Sequence, residues 1–177
     1  MRDGLLGLIL FIGHWLSPDT GKANVSAEFI KNEVQYCQFQ CKLDIAWNRQ
    51  LEQLVEAGIP LRFNILCASD KSDTLQFTRT LMFDMVDFTY GFTDTTSAKV
   101  IKSQQYTLVH LALRDFCKWN FKIKQDATLC RVEVMILPGL AKQLNRIVDM
   151  SRVWGQQKVY CQFVPQEKIK AGSQRKK

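Results

Sequence analysis

Four groups of residues in this 177-residue chain have the types that could do chemistry. Asp84 and Asp87, in "MFDMVDF", are one: paired carboxylates can divide acid and base roles when their environments differ. Hydrophobic parity changes at the same place, however, so the pair reads as a tight turn or bulged corner. The acids of "SDKSD", Ser69 to Asp73, suggest a calcium loop, but the glycine and distal glutamate of an EF-hand are missing. A solvated hairpin is expected there. His110, in "TLVHLAL", is flanked by valine and leucines within a helical pattern and reads as a partly buried structural residue. Six cysteines complete the set.

The cysteines fall on core positions. In "YCQFQCKLDI", Cys37, Phe39, Cys41, Leu43 and Ile45 share one strand face. Cys67 continues the face of Leu61, Phe63 and Ile65; Cys130 joins Val132, Val134 and Ile136; Cys161 sits between Val159 and Phe163. Cys117 lies on a helix face with Val109, Leu113 and Phe116. Free cysteine packs as a small hydrophobe, and that role is expected for all six. A Cys37–Cys41 disulfide is excluded if the strand forms, because four residues of strand span about 13 Å against a limit of ~7 Å. A cross-strand pair such as Cys67 with Cys130 stays open. With no C-x-x-C pair and no histidine companions, zinc is not expected.

G-x-S-x-G, P-loop, G-x-G-x-x-G and H-E-x-x-H sequences are absent. The expectation is a protein that is not an enzyme and carries no cofactor or metal. The remaining chemical feature is basic. Lys168, Lys170, Arg175, Lys176 and Lys177 stand in the last ten residues, and they account for all but +2 of the formal charge of +7. They are the candidate binding residues. Either they form a solvated end that aids solubility, or they touch an anionic surface, where each cation adds ~1 kcal/mol.

The elements that must position these groups follow from periodicity. Strands are expected over about 27–34 and 36–45, then a helix over 48–57 with Asn48 as its cap. Gly58 stops that helix in a left-handed conformation, and Pro60 turns the chain into a strand over 60–68. A long β segment, "TLQFTRTLMFDMVDFTYGFTD", comes next, with Leu81 and Phe83 on one parity and Val86, Phe88, Tyr90 and Phe92 on the other. A second helix starts at Thr107 as cap; Trp119 and Phe121 lie in a strand, as do residues 129–136. "LPGLAKQLNRIVDM" reads as a third short helix with Pro138 in its first turn, before a last strand over 158–164. The fold class is α+β: a largely antiparallel β-sheet, sandwich-like as one form, with two or three short helices.

The amino terminus reads as an address. "GLLGLILFIGHWL" is too short for a membrane span, which needs ~20 residues, and suits the apolar core of a signal peptide. Pro18 ends it, and Gly21 and Ala23 supply the small residues for cleavage after Ala23. The expected organisation is a signal peptide over 1–23, one α+β domain over 24–166 and a basic disordered tail over 167–177. No further membrane span is expected.

The run "AGIPL" into an apolar strand, then "TRTLMFDMVDFTYGF", "TLVHLAL" and "VEVMILP", resembles an uncharacterised bacterial envelope family, domain of unknown function 4390. The likeness runs from Glu28 to Phe163 and ends with Leu137-Pro138 followed by Ser151-Arg152-Val153-Trp154. It implies an exported domain with no established activity, and so no catalytic residues to carry over. The preferred expectation is a periplasmic or envelope-associated protein that binds an envelope protein or the anionic membrane surface. Two others stand beside it. One is a cytoplasmic nucleic-acid-binding protein that uses its basic tail. The other is a carrier whose Phe77, Phe83, Phe88 and Phe92 wall an apolar ligand.

Overall fold

The computed structural model describes residues 23–45, 49–71, 74–97, 99–141, 146–150 and 156–166. The signal-peptide segment, the Asn48 cap, the Ser151–Trp154 element and the basic tail therefore lie outside the described residues.

The chain is β-rich, and every strand pairing is antiparallel. A three-stranded sheet joins β1 (Asn24–Asn32), β2 (Tyr36–Asp44) and β7 (Lys118–Lys124), with β2 in the middle. A six-stranded sheet has the order β11 (Lys158–Phe163), β8 (Cys130–Leu137), β3 (Leu61–Ser69), β4 (Leu75–Asp84), β5 (Thr89–Thr96) and β6 (Lys99–Tyr106). Two helices are described, α1 (Arg49–Glu56) and α2 (Val109–Phe116).

Alternation along each strand puts one face inside. On β2, Cys37, Phe39, Cys41 and Leu43 are buried, and on β3, Leu61, Phe63, Ile65 and Cys67. The two sheets share one core: Phe39 of β2 meets Phe163 of β11 at 5.1 Å between ring centroids, and the Trp119 indole of β7 reaches Cys67 of β3. Each such side chain taken wholly out of water contributes about 1.5–3 kcal/mol.

The α1 stop forms as its sequence dictates. Gly58 has φ of +80°, its N–H donates to the Val55 carbonyl at 2.9 Å, and the Ile59 N–H donates to the Leu54 carbonyl at 3.0 Å. These two bonds make a Schellman motif, which satisfies carbonyls that the helix end would otherwise orphan. Leu51, Leu54, Val55 and Ile59 are all buried behind it.

Four expectations need correction. The described residues of the segment expected as a third helix, 137–150, are not helical: Gly139–Ala141 (β9) pairs with Arg146–Val148 (β10) as a small ribbon. Val148 and Met150 are buried while Ile147, 77% exposed, and Asp149 alternate with them outward, which is strand periodicity. Tertiary contact decides this. A Cβ on Gly139 would lie 2.7 Å from Ile59 Cγ2, so the backbone there runs flush against the α1–β3 corner. Thr107 is not the cap of α2; the N-cap is Leu108, with no side-chain cap bond. His110 is exposed on α2, not partly buried. Finally, Val86 and Phe88 do not join the inward parity of Tyr90 and Phe92 but project into solvent.

Candidate functional site

The turn expected at Asp84 to Asp87 is real: residues 85–88 close a hairpin between β4 and β5. The Asp84 carboxylate accepts from the backbone N–H groups of Val86 at 2.8 Å and Asp87 at 3.3 Å, and so fixes the loop from inside. Asp84 is therefore a turn former. Tyr90 hydroxyl donates to Glu56 Oε1 at 2.7 Å and ties the hairpin base to α1, while burial and that carboxylate push the Tyr90 phenol well above its ordinary pKa.

The tip itself is apolar and uncovered. Met82, Met85, Val86 and Phe88 are 53%, 55%, 85% and 72% exposed. Phe88 also carries a φ of +53°, a left-handed conformation that costs a bulky L residue about 1–2 kcal/mol. Next to it, Thr89 Oγ1 is buried with no hydrogen-bond partner among the described residues. The Phe88 ring meets the Phe83 ring edge-on, 6.3 Å between centroids.

At the other end of these two strands lies a buried charge centre that the sequence reading did not single out. Arg79 of β4 and Asp94 of β5 face each other in register, 1% and 4% exposed. Arg79 Nε and one terminal nitrogen both donate to the Asp94 carboxylate at 2.7 Å. Its other terminal nitrogen donates to the carbonyls of Asp115 at 3.3 Å, Phe116 at 2.8 Å and Lys118 at 2.6 Å. The guanidinium thus sits at the carbonyl end of α2, where a cation is favoured. It also lies over the rings of Phe92 and Phe77, 4.9 and 5.6 Å from their centroids. Its donors are satisfied, so its role is to lock β4, β5, α2 and β7 together. One signal for it was in the sequence. Arg79 shares inward parity with Phe77 and Leu81, and Asp94 with Tyr90 and Phe92, so opposite charges were placed inside neighbouring strands.

Close by, the Tyr106 hydroxyl donates to Gln104 Oε1 at 2.7 Å or to Asp115 Oδ2 at 2.9 Å. Burial and the Asp115 carboxylate push this phenol up to about 12. Arg114 bonds Asp115 in turn and helps hold its carboxyl below the usual range. The Asp70 carboxylate accepts from the Thr128 hydroxyl at 2.5 Å and from the N–H groups of Thr128 and Leu129, which hold its pKa down.

All six cysteines are free. Cys37, Cys41, Cys67 and Cys130 are buried; Cys117 and Cys161 are half-buried. Burial pushes the Cys117 and Cys130 thiols up to about 12. Cys67 does not face Cys130: Cys67 pairs with Val132 and Cys130 with Ser69, so the two are diagonal neighbours. No group of three or more His, Cys, Asp or Glu among the described residues is placed to hold a metal ion.

Phe77 and Phe92 are core residues, Phe83 is partly buried and Phe88 points outward, so these four do not line one space. A surface hollow of about 360 Å³ is lined by Gln35, Tyr36, Lys124, Gln125 and Asp126, and another of about 210 Å³ includes Gln40, Gln104, Lys118 and Asn120. None of the four phenylalanines borders either hollow. Lys168, Lys170, Arg175, Lys176 and Lys177 lie outside the described residues. No helix among the described residues is long and apolar enough to cross a membrane. No family model matches the chain, and no curated protein or solved structure does so.

Proposed function

We propose that this chain is an exported, non-enzymatic envelope domain that docks a protein partner through the β4–β5 hairpin tip. The leader-like residues 1–23 and the resemblance to the envelope family support export. The two sheets close on one another as a sandwich-like body, a reading supported by the Phe39–Phe163 and Trp119–Cys67 contacts between them. That body acts as the scaffold, and the tip is its contact point.

The observation that carries the docking reading is Phe88. Stability alone would place glycine or asparagine at φ +53°, and the exposed ring gains little burial in return. Strain kept beside an uncovered apolar surface is the pattern expected of a recognition site. The chemistry favours a protein over an anionic bilayer, because Asp84 and Asp87 put carboxylates among the tip's apolar groups. The fitting partner offers an apolar pocket with a basic rim.

A photo-cross-linking residue at position 86, in the full chain expressed in cells, tests this against the same residue at exposed position 110. A discrete protein adduct from position 86, absent at 110 and lost with Phe88→Asp, is the expected result. Equal labelling at both positions, or none at 86, ends the docking reading. Fractionation with amino-terminal sequencing tests export separately: a chain that keeps Met1 in the cytosol ends that part.

A further inference from the structure

We infer that Cys41 and Cys67 are the two halves of an inter-sheet disulfide that forms when the chain folds in oxidising surroundings. Cys41 is on the central strand of the three-stranded sheet and Cys67 on an inner strand of the six-stranded one, and they are 0% and 2% exposed. Trp119 brings them together. It is the cross-strand partner of Cys41 in the β2–β7 pair, and its indole N–H donates to Cys67 Sγ at 3.4 Å. Cys41 and Cys67 therefore lie on either side of one indole, each on the inward face of its own sheet. Hydrogen bonding between the two thiols holds Cys67 below the usual thiol value, burial opposing it and the Trp119 indole assisting, while burial drives Cys41 far up.

Three competing pairs fail on geometry. Cys37 and Cys41 lie on one strand, about 13 Å apart. Cys67 and Cys130 are diagonal, ~7–8 Å between Cα atoms and beyond the usual disulfide range. Cys161 pairs with Val132, which pairs with Cys67, so two strand spacings of ~4.8 Å separate Cys161 from Cys67.

The reaction is thiol–disulfide exchange with a disulfide donor, either a thiol oxidoreductase or a small disulfide such as oxidised glutathione. One cysteine thiolate attacks the donor's S–S bond, forms a mixed disulfide and expels one donor thiolate. The second cysteine thiolate then attacks the protein sulfur of that mixed disulfide, forms Cys41–Cys67 and expels the other donor thiolate. The two cysteines lose two electrons and two protons; the donor disulfide gains both as two thiols. Exchange has to precede closure of the sheets, because no donor reaches sulfurs as deeply buried as these. Export matters only as the source of oxidising surroundings, so the chemistry can be tested apart from it.

The full chain is refolded from denaturant in oxidised and reduced glutathione, then unfolded without reductant and alkylated. The expected product has two fewer reactive thiols than the six of the sequence, a mass lower by two hydrogens, and one linked peptide pair containing Cys41 and Cys67. Cys130→Ala keeps that link, and Cys67→Ala abolishes it. Six alkylated thiols, or a link through Cys37, Cys117, Cys130 or Cys161, overturns the inference. If the bond forms in glutathione but protein from cells carries six thiols, the pairing stands and the export reading fails.

Discussion

The β4–β5 hairpin holds the molecule's two most unusual side chains, Arg79 and Phe88, and treats them in opposite ways. Arg79 is a charge taken out of water, where an unpaired ion would be ruinous, and it is surrounded by acceptors: a carboxylate and three carbonyls. Phe88 is an apolar ring left 72% exposed on a strained backbone, set edge-on to Phe83. The polar residue has the partners and the apolar residue lacks them. Internal interactions explain the first fully. They do not explain the second, and an unexplained exposed ring points outward to a partner.

The comparison breaks first at Arg79. Arg79→Leu leaves Asp94 buried and unpaired and three carbonyls without their donor. A loss of about 3–5 kcal/mol in urea unfolding is expected, enough to unfold a marginal domain. The double change Arg79→Leu with Asp94→Leu should cost much less than the two single changes summed, because no stranded charge remains. Equal additivity would mean that the pair does not act as a unit.

The next effect comes at Gly139. Gly139→Ala drives a Cβ to 2.7 Å from Ile59 Cγ2 and 3.3 Å from the Pro60 carbonyl. Overpacking of about 1–3 kcal/mol is expected, read as a lower urea midpoint at unchanged slope. A neutral Gly139→Ala would show that β9 does not lie against the α1–β3 corner.

Alkaline pH probes the ground around Arg79 more gently. Burial raises Cys117, Cys130 and Tyr106 in the folded state, each to about 12, from ordinary values of ~8.5 for cysteine and ~10 for tyrosine. Below the ordinary values these groups are protonated whether folded or not, and their contribution is fully present. As pH rises towards 12 the unfolded chain ionises first, so stability falls across pH ~8.5 to 12, by about 1 kcal/mol for each of the half-buried Cys117 and Tyr106 and by more for the buried Cys130. Urea midpoints measured at pH 8 and 11 check this. Tyr106→Phe should flatten the upper part of the decline and leave the lower part, which belongs to the thiols.

Where local signals agreed with one another, the sequence was readable. "LEQLVEAGIPLRF" carries a helical stripe, a glycine stop, a proline and a strand alternation in consecutive residues, and α1, the Schellman turn and β3 all form. The inward cysteine positions were equally legible, because period-two alternation admits only one buried face. Readability failed where a distant contact overrode a local pattern. Leu140, Leu144, Ile147 and Val148 fit a helical stripe, but Gly139 is pinned flat against Ile59, and the chain there pairs as a ribbon. It failed again at β6, "KVIKSQQY", an edge strand so exposed that it shows almost no alternation. At the candidate site the turn was legible and its exposure was not. Val86 and Phe88 have the right parity for burial, and only the four-residue loop of the hairpin turns them outward.

The tip gives the smallest stability changes and the sharpest contrast. Phe88→Gly removes an aromatic ring, yet it also removes the left-handed strain, so stability should change little or rise by about 0.5–1 kcal/mol. Val86→Asp, at 85% exposure, should stay within about 0.5 kcal/mol of the parent. Binding should respond the other way round: Phe88→Gly abolishes the position-86 adduct, whereas a destabiliser away from the tip, Gly139→Ala, leaves it intact. A drop of more than about 2 kcal/mol for Phe88→Gly would mean that the ring supports the fold. The contrast between Arg79 and Phe88 would then collapse into two forms of the same structural role.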